Sequence, residues 1–298
     1  MQVEARTRGV LQGAWLGWSA AYFALQLGAP LITLPPGWLL IGGVLLSTLL
    51  LMATLLGLVF AWAREAEQAR WLAPALLLGG VVAWLGWNLL PNRFGWSPQN
   101  PPSEFAFGAY RAMHGYLLMA AAVGLGATLS KLIREKNLLA PVIPFAAMVD
   151  MLTVLTPGGF VKQVMEKAPE VAERASVAVM AAPNAPAAAA KLTPIAIIGV
   201  GDFIFLALYA ACLIRFGMRV RATMIGLFVA LWVYLGLVLW VLPILGLAPR
   251  LPALVPMAAV TLALNWRSFQ LSRQETVASI VVIALALGVI AFLFTRGG

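Results

Sequence analysis

Charge is scarce in this chain. Acidic and basic residues together make up 10% of its 298 positions, against roughly 25% in a soluble domain. Cysteine occurs once, at Cys212, and histidine once, at His114. A single thiol excludes a disulfide framework and any cysteine metal cluster. A single imidazole cannot build a zinc site, which takes three or four protein ligands. No metal and no cofactor is therefore expected, and Cys212, inside an apolar run, reads as a small core residue. Apolar residues fill the gap: 62% of the chain is hydrophobic and the mean hydropathy is +0.93. Surface so apolar excludes a soluble enzyme, a disordered chain and a nucleic-acid module. The net charge of +9 resembles a polyanion-binding footprint, but the basic residues sit at the ends of apolar runs, where they mark membrane sidedness.

A spanning helix needs about 20 mostly apolar residues. That length predicts an all-α, polytopic transmembrane bundle of about nine spans, near 10–31, 38–62, 72–90, 109–130, 138–156, 192–215, 222–246, 251–265 and 277–295. The chain reads as one membrane domain, 1–298, with N-terminal helices in 1–137, a core in 138–265 and an extra span in 266–298. Connections are short and turn-rich, as at Pro35-Pro36-Gly37 and Pro91-Asn92-Arg93. The first apolar run lacks a small-residue cleavage site followed by polar sequence, so an uncleaved span is expected. Residues 91–108 suggest an interfacial cap. Residues 157–191 form the long polar connection; its first half draws as a short amphipathic helix (160–167) and its second, around Ala181-Ala182-Pro183-Asn184, as a mobile stretch.

Twelve of the 20 basic residues fall in alternate connections starting with the N-terminus, densest in 131–136 and 215–221. Positive charge stays inside. The N-terminus is therefore expected in the cytoplasm and 157–191 outside, in a multi-pass protein of a prokaryotic plasma (inner) membrane.

Two acidic residues interrupt apolar runs: Asp150 in PFAAMVDMLTVLTPGG and Asp202 in PIAIIGVGDFIFLALYAA. A charged Asp at a helix centre costs about 2.5–3.5 kcal/mol on insertion scales, so such residues mark functional sites. No Lys or Arg within either run neutralises them. Read as helices, the runs place Ala146 and Ala147 one turn before Asp150, and Gly199 with Ile198 one turn before Asp202, with Ala196 a further turn back. Small residues let helix backbones approach in lipid, and Gly201 leaves room for another backbone. Two carboxyls meeting there would share a proton and a water. A later segment opens with Pro252-Ala253-Leu254, and Pro252 suits a first helical turn. Asp150 comes late in its span, Asp202 early in the next, and Pro252 starts a later one. All three fall toward the same leaflet, whatever the absolute orientation.

These residues resemble the presenilin and signal peptide peptidase family, the GxGD intramembrane aspartyl proteases. Gly199-Val200-Gly201-Asp202 is similar to the GxGD motif, Val149-Asp150-Met151-Leu152 to the helix bearing the first catalytic aspartate, and Pro252-Ala253-Leu254 to the PAL motif. Their order is the family's order, over roughly residues 138–265. Val149 replaces the family's usual Tyr, and five spans rather than six reach the first Asp. The resemblance implies that Asp150 and Asp202 are catalytic. It implies that Gly199, Val200, Gly201, Pro252, Ala253 and Leu254 shape the site and bind substrate, and that the outward 157–191 connection matches the signal-peptide-peptidase orientation. The expected substrate is a transmembrane helix or signal-peptide remnant, unwound so that its backbone pairs like a strand near Pro252 to Leu254, with the start of 157–191 adding a strand or gate. The lipid bilayer is the other partner; neither nucleic acid nor an obligate subunit is implied.

Other residues carry blander expectations. His114 makes a structural hydrogen bond or sits at the interface. Trp15, Trp18, Trp84, Trp87, Trp232 and Trp240 anchor the chain to lipid, and Phe203 and Phe205 pack. Three functional alternatives stay open: a prepilin-type leader peptidase, which also uses GxGD but faces the cytoplasm; an ion- or proton-coupled transporter with paired Asp residues; and a non-catalytic scaffold. No internal repeat of the kind transporters show is visible in the sequence.

Overall fold

The computed structural model describes residues 13–32, 35, 38–93, 103–155, 163, 167–168, 174–179, 196–237 and 252–277, together with 280, 281, 284, 288 and 292. It is mostly helical. Helices α1 (Ala14–Gly28), α2 (Trp38–Gln68), α3 (Leu72–Arg93), α4 (Glu104–Ser130) and α5 (Leu139–Leu155) come first. Strands β1 (Ser176–Val179) and β2 (Ala196–Gly199) follow, then helices α6 (Val200–Arg215), α7 (Val220–Gly236) and α8 (Leu254–Asn265). Among the described residues, four stretches are helical, long and apolar enough to cross a membrane: Leu45–Gln68, Leu72–Leu90, Phe105–Ser130 and Lys136–Val154. Val220–Gly236 is a shorter apolar helix. Helices predominate because a backbone in lipid must satisfy its own N–H and C=O groups.

Three expectations change. Pro91 to Arg93 are not a turn but the end of α3; near a C-terminus a proline removes one intrahelical hydrogen bond, and the helix runs on for two residues. The expected span over 192–215 opens instead with β2, and its helix is 16 residues long. Ala196-Ile197-Ile198-Gly199 has β-branched residues at its centre and antiparallel partners in Ser176–Val179, paired Ser176 to Gly199 and Val177 to Ile198. Consequently Ile198 and Gly199 share no helical face with Asp202. Third, Pro252 precedes α8 rather than lying in its first turn; Ala253 is the N-cap. Most of the expected amphipathic helix at 160–167, the mobile stretch around 181–186, the middle half of the cap (94–102) and about two thirds of the 277–295 span lie outside the described residues, as does Trp240.

The chain forms two compact units, residues 1–128 with 173–207, and residues 129–172 with 208–298. In the first, α1 packs on α2 and α2 on α3. Its core holds Tyr22, Leu58, Val59, Trp62 and Met119. The Trp18 ring lies against Gly57. Tyr22 donates to the Ala112 carbonyl at 3.0 Å, and Ser19 Oγ meets Tyr116 Oη at 2.9 Å, so the hydroxyls buried by this packing are satisfied. Trp84 and Trp87 are not simple lipid anchors. Trp87 donates to the Tyr110 carbonyl at 3.1 Å and stacks on Tyr110, and Trp84 Nε1 approaches His114 Nε2 at 3.4 Å. Trp232 is 45% exposed, as lipid contact requires.

Backbones of α3 and α4 touch where both carry glycine. A Cβ on Gly124 would overlap the backbone of Leu77 and Leu76 and the Ala73 carbonyl, and one on Gly80 would sit 2.7 Å from the Ala121 nitrogen. Small residues at helix crossings allow this approach, which replaces hydrophobic driving force in lipid. Gly124→Val is therefore expected to destabilise the first unit by about 2 kcal/mol through overpacking, seen as a lower midpoint on titrating the micelle-bound protein with a denaturing detergent.

In the second unit α8 packs on α5 and on α7. Asn265 is fully buried and ties the end of α8 to the start of α7. Its Oδ1 accepts from the Arg219 N–H at 3.0 Å, while its Nδ2 donates to Thr223 Oγ1 at 2.8 Å and the Thr261 carbonyl at 2.9 Å. Asn265→Leu strands those partners and should lower stability by about 1–3 kcal/mol, read by the same titration. Cys212 is fully buried, as its apolar setting predicts.

Beyond α8, Ser272 and Glu275 form a reciprocal cap for the helical residues 273–277: Ser272 N–H donates to Glu275 Oε2 at 2.7 Å, and Glu275 N–H to Ser272 Oγ at 3.2 Å. The Ser272 N–H holds the Glu275 carboxyl below the ordinary glutamate range. A depressed carboxyl stabilises the fold above its unfolded titration range, and that contribution is lost as pH falls through the folded value. Acidification should fray 273–277 below the ordinary glutamate range, followed by backbone carbon shifts; Glu275→Gln should remove the pH dependence.

Candidate active site

Asp150 sits in the last third of α5, half-buried. This helix contains Pro144, which cannot donate to the carbonyl four residues back. Tyr209, fully buried on α6, donates to the neighbouring Ile143 carbonyl at 3.4 Å. Thr153 Oγ1 donates to the Asp150 carbonyl at 3.0 Å, closing the polar groups of the last turns on themselves.

The decisive contact comes from a helix 104 residues further along the chain: the Leu254 N–H donates to Asp150 Oδ2 at 3.0 Å. Leu254 is the first residue of α8, and the first N–H groups of a helix have no intrahelical acceptor. They carry the positive end of the macrodipole, so a carboxylate there is stabilised. Pro252 and Leu254 are buried and Ala253 half-buried, which fixes the turn that delivers this N–H. The structure thus brings the Pro252-Ala253-Leu254 segment to Asp150. One donor occupies one of a carboxylate's roughly four lone-pair positions.

Asp202 belongs to the first unit. It lies in the first turn of α6, directly after β2. It is therefore not a mid-helix charge; the start of its own helix favours an anion there. Val200 N–H donates to the Ala175 carbonyl at 3.1 Å, so the entry to α6 is stitched to the residue preceding β1. Gly199 ends β2, and a Cβ there would meet Asp202 Oδ2 at an ordinary 3.7 Å. At Gly201 a Cβ would find nothing within 4 Å. These glycines are not points of close backbone approach among the described residues, and at Gly201 the space beside the helix is open. Phe203 is buried and packs, as expected.

Sequence reading missed two elements. Strand β1 was hidden within the polar connection, and the Ser-Val-Ala-Val run (176–179), with alternating β-branched residues, was its only signal. The start of 157–191, expected to offer a strand or gate, lies largely outside the described residues; the strand stands at Ser176–Val179. The Leu254 N–H was also missed, because a backbone donor leaves no trace in side-chain spacing. Among the described residues, no group of three or more His, Cys, Asp or Glu is arranged to hold a metal ion. No protein-family model, curated protein or solved structure matches the chain.

Proposed function

We propose that this chain is an intramembrane aspartyl protease of the GxGD type, in which Asp150 and Asp202 form a two-carboxyl, water-activating dyad. The observation that carries the reading is the Leu254 N–H bond to Asp150. Two of the three motifs, far apart in sequence, converge on one carboxyl. Asp202, at a helix start beside open space at Gly201, is the second carboxyl. Two like charges about 3 Å apart cannot both ionise. One then takes a proton from water while the neutral partner hydrogen-bonds the scissile carbonyl, and the titration belongs to the pair. In this reading the chain is a presenilin-like bundle of about nine spans in a prokaryotic plasma membrane, N-terminus cytoplasmic and 157–191 external. Its substrate is a transmembrane helix or signal-peptide remnant.

A structural reading has one observation in its favour: Asp150 also caps the start of α8, a role that needs no chemistry. The purified full chain in proteoliposomes, given a reporter peptide with one apolar helix, separates the two. Proteolysis blocked by a hydroxyl-bearing mimic of the tetrahedral intermediate is the expected result. Absence of cleavage by the wild-type protein would leave Asp150 as a cap.

A further inference from the structure

We infer that His114 is a positioning residue for the start of α6, and hence for Asp202, acting through the β1–β2 pair; its catalytic consequence rests on the proposed protease reading. His114 is 9% exposed on α4. Its Nε2 lies 2.9 Å from the Arg174 carbonyl and 3.4 Å from Trp84 Nε1. A carbonyl can only accept, so in the tautomer that makes the shorter contact Nε2 carries the proton and donates to Arg174; the Trp84 Nε1–H, aimed at the same nitrogen, bonds it only in the other tautomer. That carbonyl sits two residues before β1.

The next residue of α4 continues the grip. A Cβ on Gly115 would fall 3.2 Å from Val177 Cγ1 and 2.8 Å from Tyr22 Oη, so β1 packs against the helix backbone where glycine leaves room. Val177 is 1% exposed and pairs with Ile198 of β2. The Val200 N–H then bonds the Ala175 carbonyl. Adjacent residues of one transmembrane helix therefore fix β1 at its carbonyl entry and its first apolar side chain. That strand fixes β2, and the first helical residue after β2 is bonded back to the same segment, two residues before Asp202. All of these residues belong to the first compact unit. A short strand pair is marginal alone, so an anchored carbonyl decides how firmly the start of α6 is held.

The test compares the wild-type full chain with His114→Leu and His114→Gln in proteoliposomes. Gln keeps an N–H donor near the Nε2 position; Leu does not. Hydrogen exchange of the peptide 196–201 should speed up about tenfold in His114→Leu, the effect of losing one buried hydrogen bond, and return toward wild type in His114→Gln. Reporter cleavage should lose kcat on the order of tenfold in His114→Leu, as misplacement of a reacting group requires, with KM within about twofold, and Gln should restore kcat. Unchanged exchange in His114→Leu would overturn the anchoring. Faster exchange with unchanged kcat would overturn the effect on Asp202 while leaving the protease reading intact. A wild-type protein that cuts nothing removes the protease reading, and the exchange comparison still decides the anchor.

Discussion

Asp150→Asn and Asp202→Asn are each expected to lower reporter cleavage by at least about a thousandfold, the upper range of what one positioned acid or base contributes. An amide can neither take a proton from water nor donate one in the way a neutral acid does. Folding should survive both changes. At position 150 the Asn carbonyl oxygen can still accept the Leu254 N–H, now at 3.0 Å to Oδ2. At position 202 the side chain lies in a first helical turn, where Asn is also tolerated. Unchanged detergent-unfolding midpoints with abolished cleavage would fit a dyad. A single variant cutting at the wild-type rate would show that its carboxyl is not a catalytic residue. The structural reading predicts no such difference between fold and activity, since a cap acts on stability alone.

Replacing the Leu254 amide by an ester, through the α-hydroxy acid of leucine, should lower kcat at least about tenfold, the size of one lost hydrogen bond at the site. The ester removes one N–H and keeps the side chain, which is 4% exposed and packs in the second unit. Leu254→Ala is the complementary control: it keeps the N–H and removes the packing. Its expected signature is lower stability with kcat close to wild type. If the two variants behaved alike, the side chain rather than the backbone donor would be what matters at this position.

How much was legible in the sequence follows from where the information resides. Long apolar runs over α2, α3 and α4 declare themselves, because an 18-residue stretch without charge has few other uses; α5 is legible although Asp150 interrupts its run. The α8 start was legible to within two residues: Pro252 marks it, but the helix begins at Leu254 with Ala253 as its N-cap. The segment before Asp202 was misread for a physical reason. Ile and Gly are ordinary in membrane helices, and only the partner strand Ser176–Val179, some twenty residues away, makes Ala196–Gly199 extended. Hydropathy records burial and is blind to pairing. The misreading also changed the character of Asp202: a charge at a helix centre is a costly anomaly, whereas one at a helix start is stabilised by the backbone.

At the candidate site, side chains were visible and backbone donors were not. Asp150, Asp202 and the Pro252-Ala253-Leu254 segment stood out by type and order, yet the Leu254 amide that meets Asp150 could belong to any residue. His114 and Trp84 illustrate the same limit. Trp84 reads as a lipid anchor and His114 as a structural hydrogen bond or an interfacial residue, but which partners they meet, the Arg174 carbonyl and each other, arises from how α3, α4 and the β1 entry fold together.

The central claim, that the carboxyls of Asp150 and Asp202 meet, is tested most directly by oxidative crosslinking in native membranes. The combined variant Asp150→Cys with Asp202→Cys, built on Cys212→Ala to remove the native thiol, places both thiols where the acids stand. Disulfide formation requires Cα atoms within about 7 Å. The account predicts rapid intramolecular crosslinking of this pair, and none when Asp202→Cys is replaced by Phe205→Cys one turn along α6. Two thiols that each react with a small maleimide yet join neither by oxidation nor through a short bifunctional thiol reagent would contradict it.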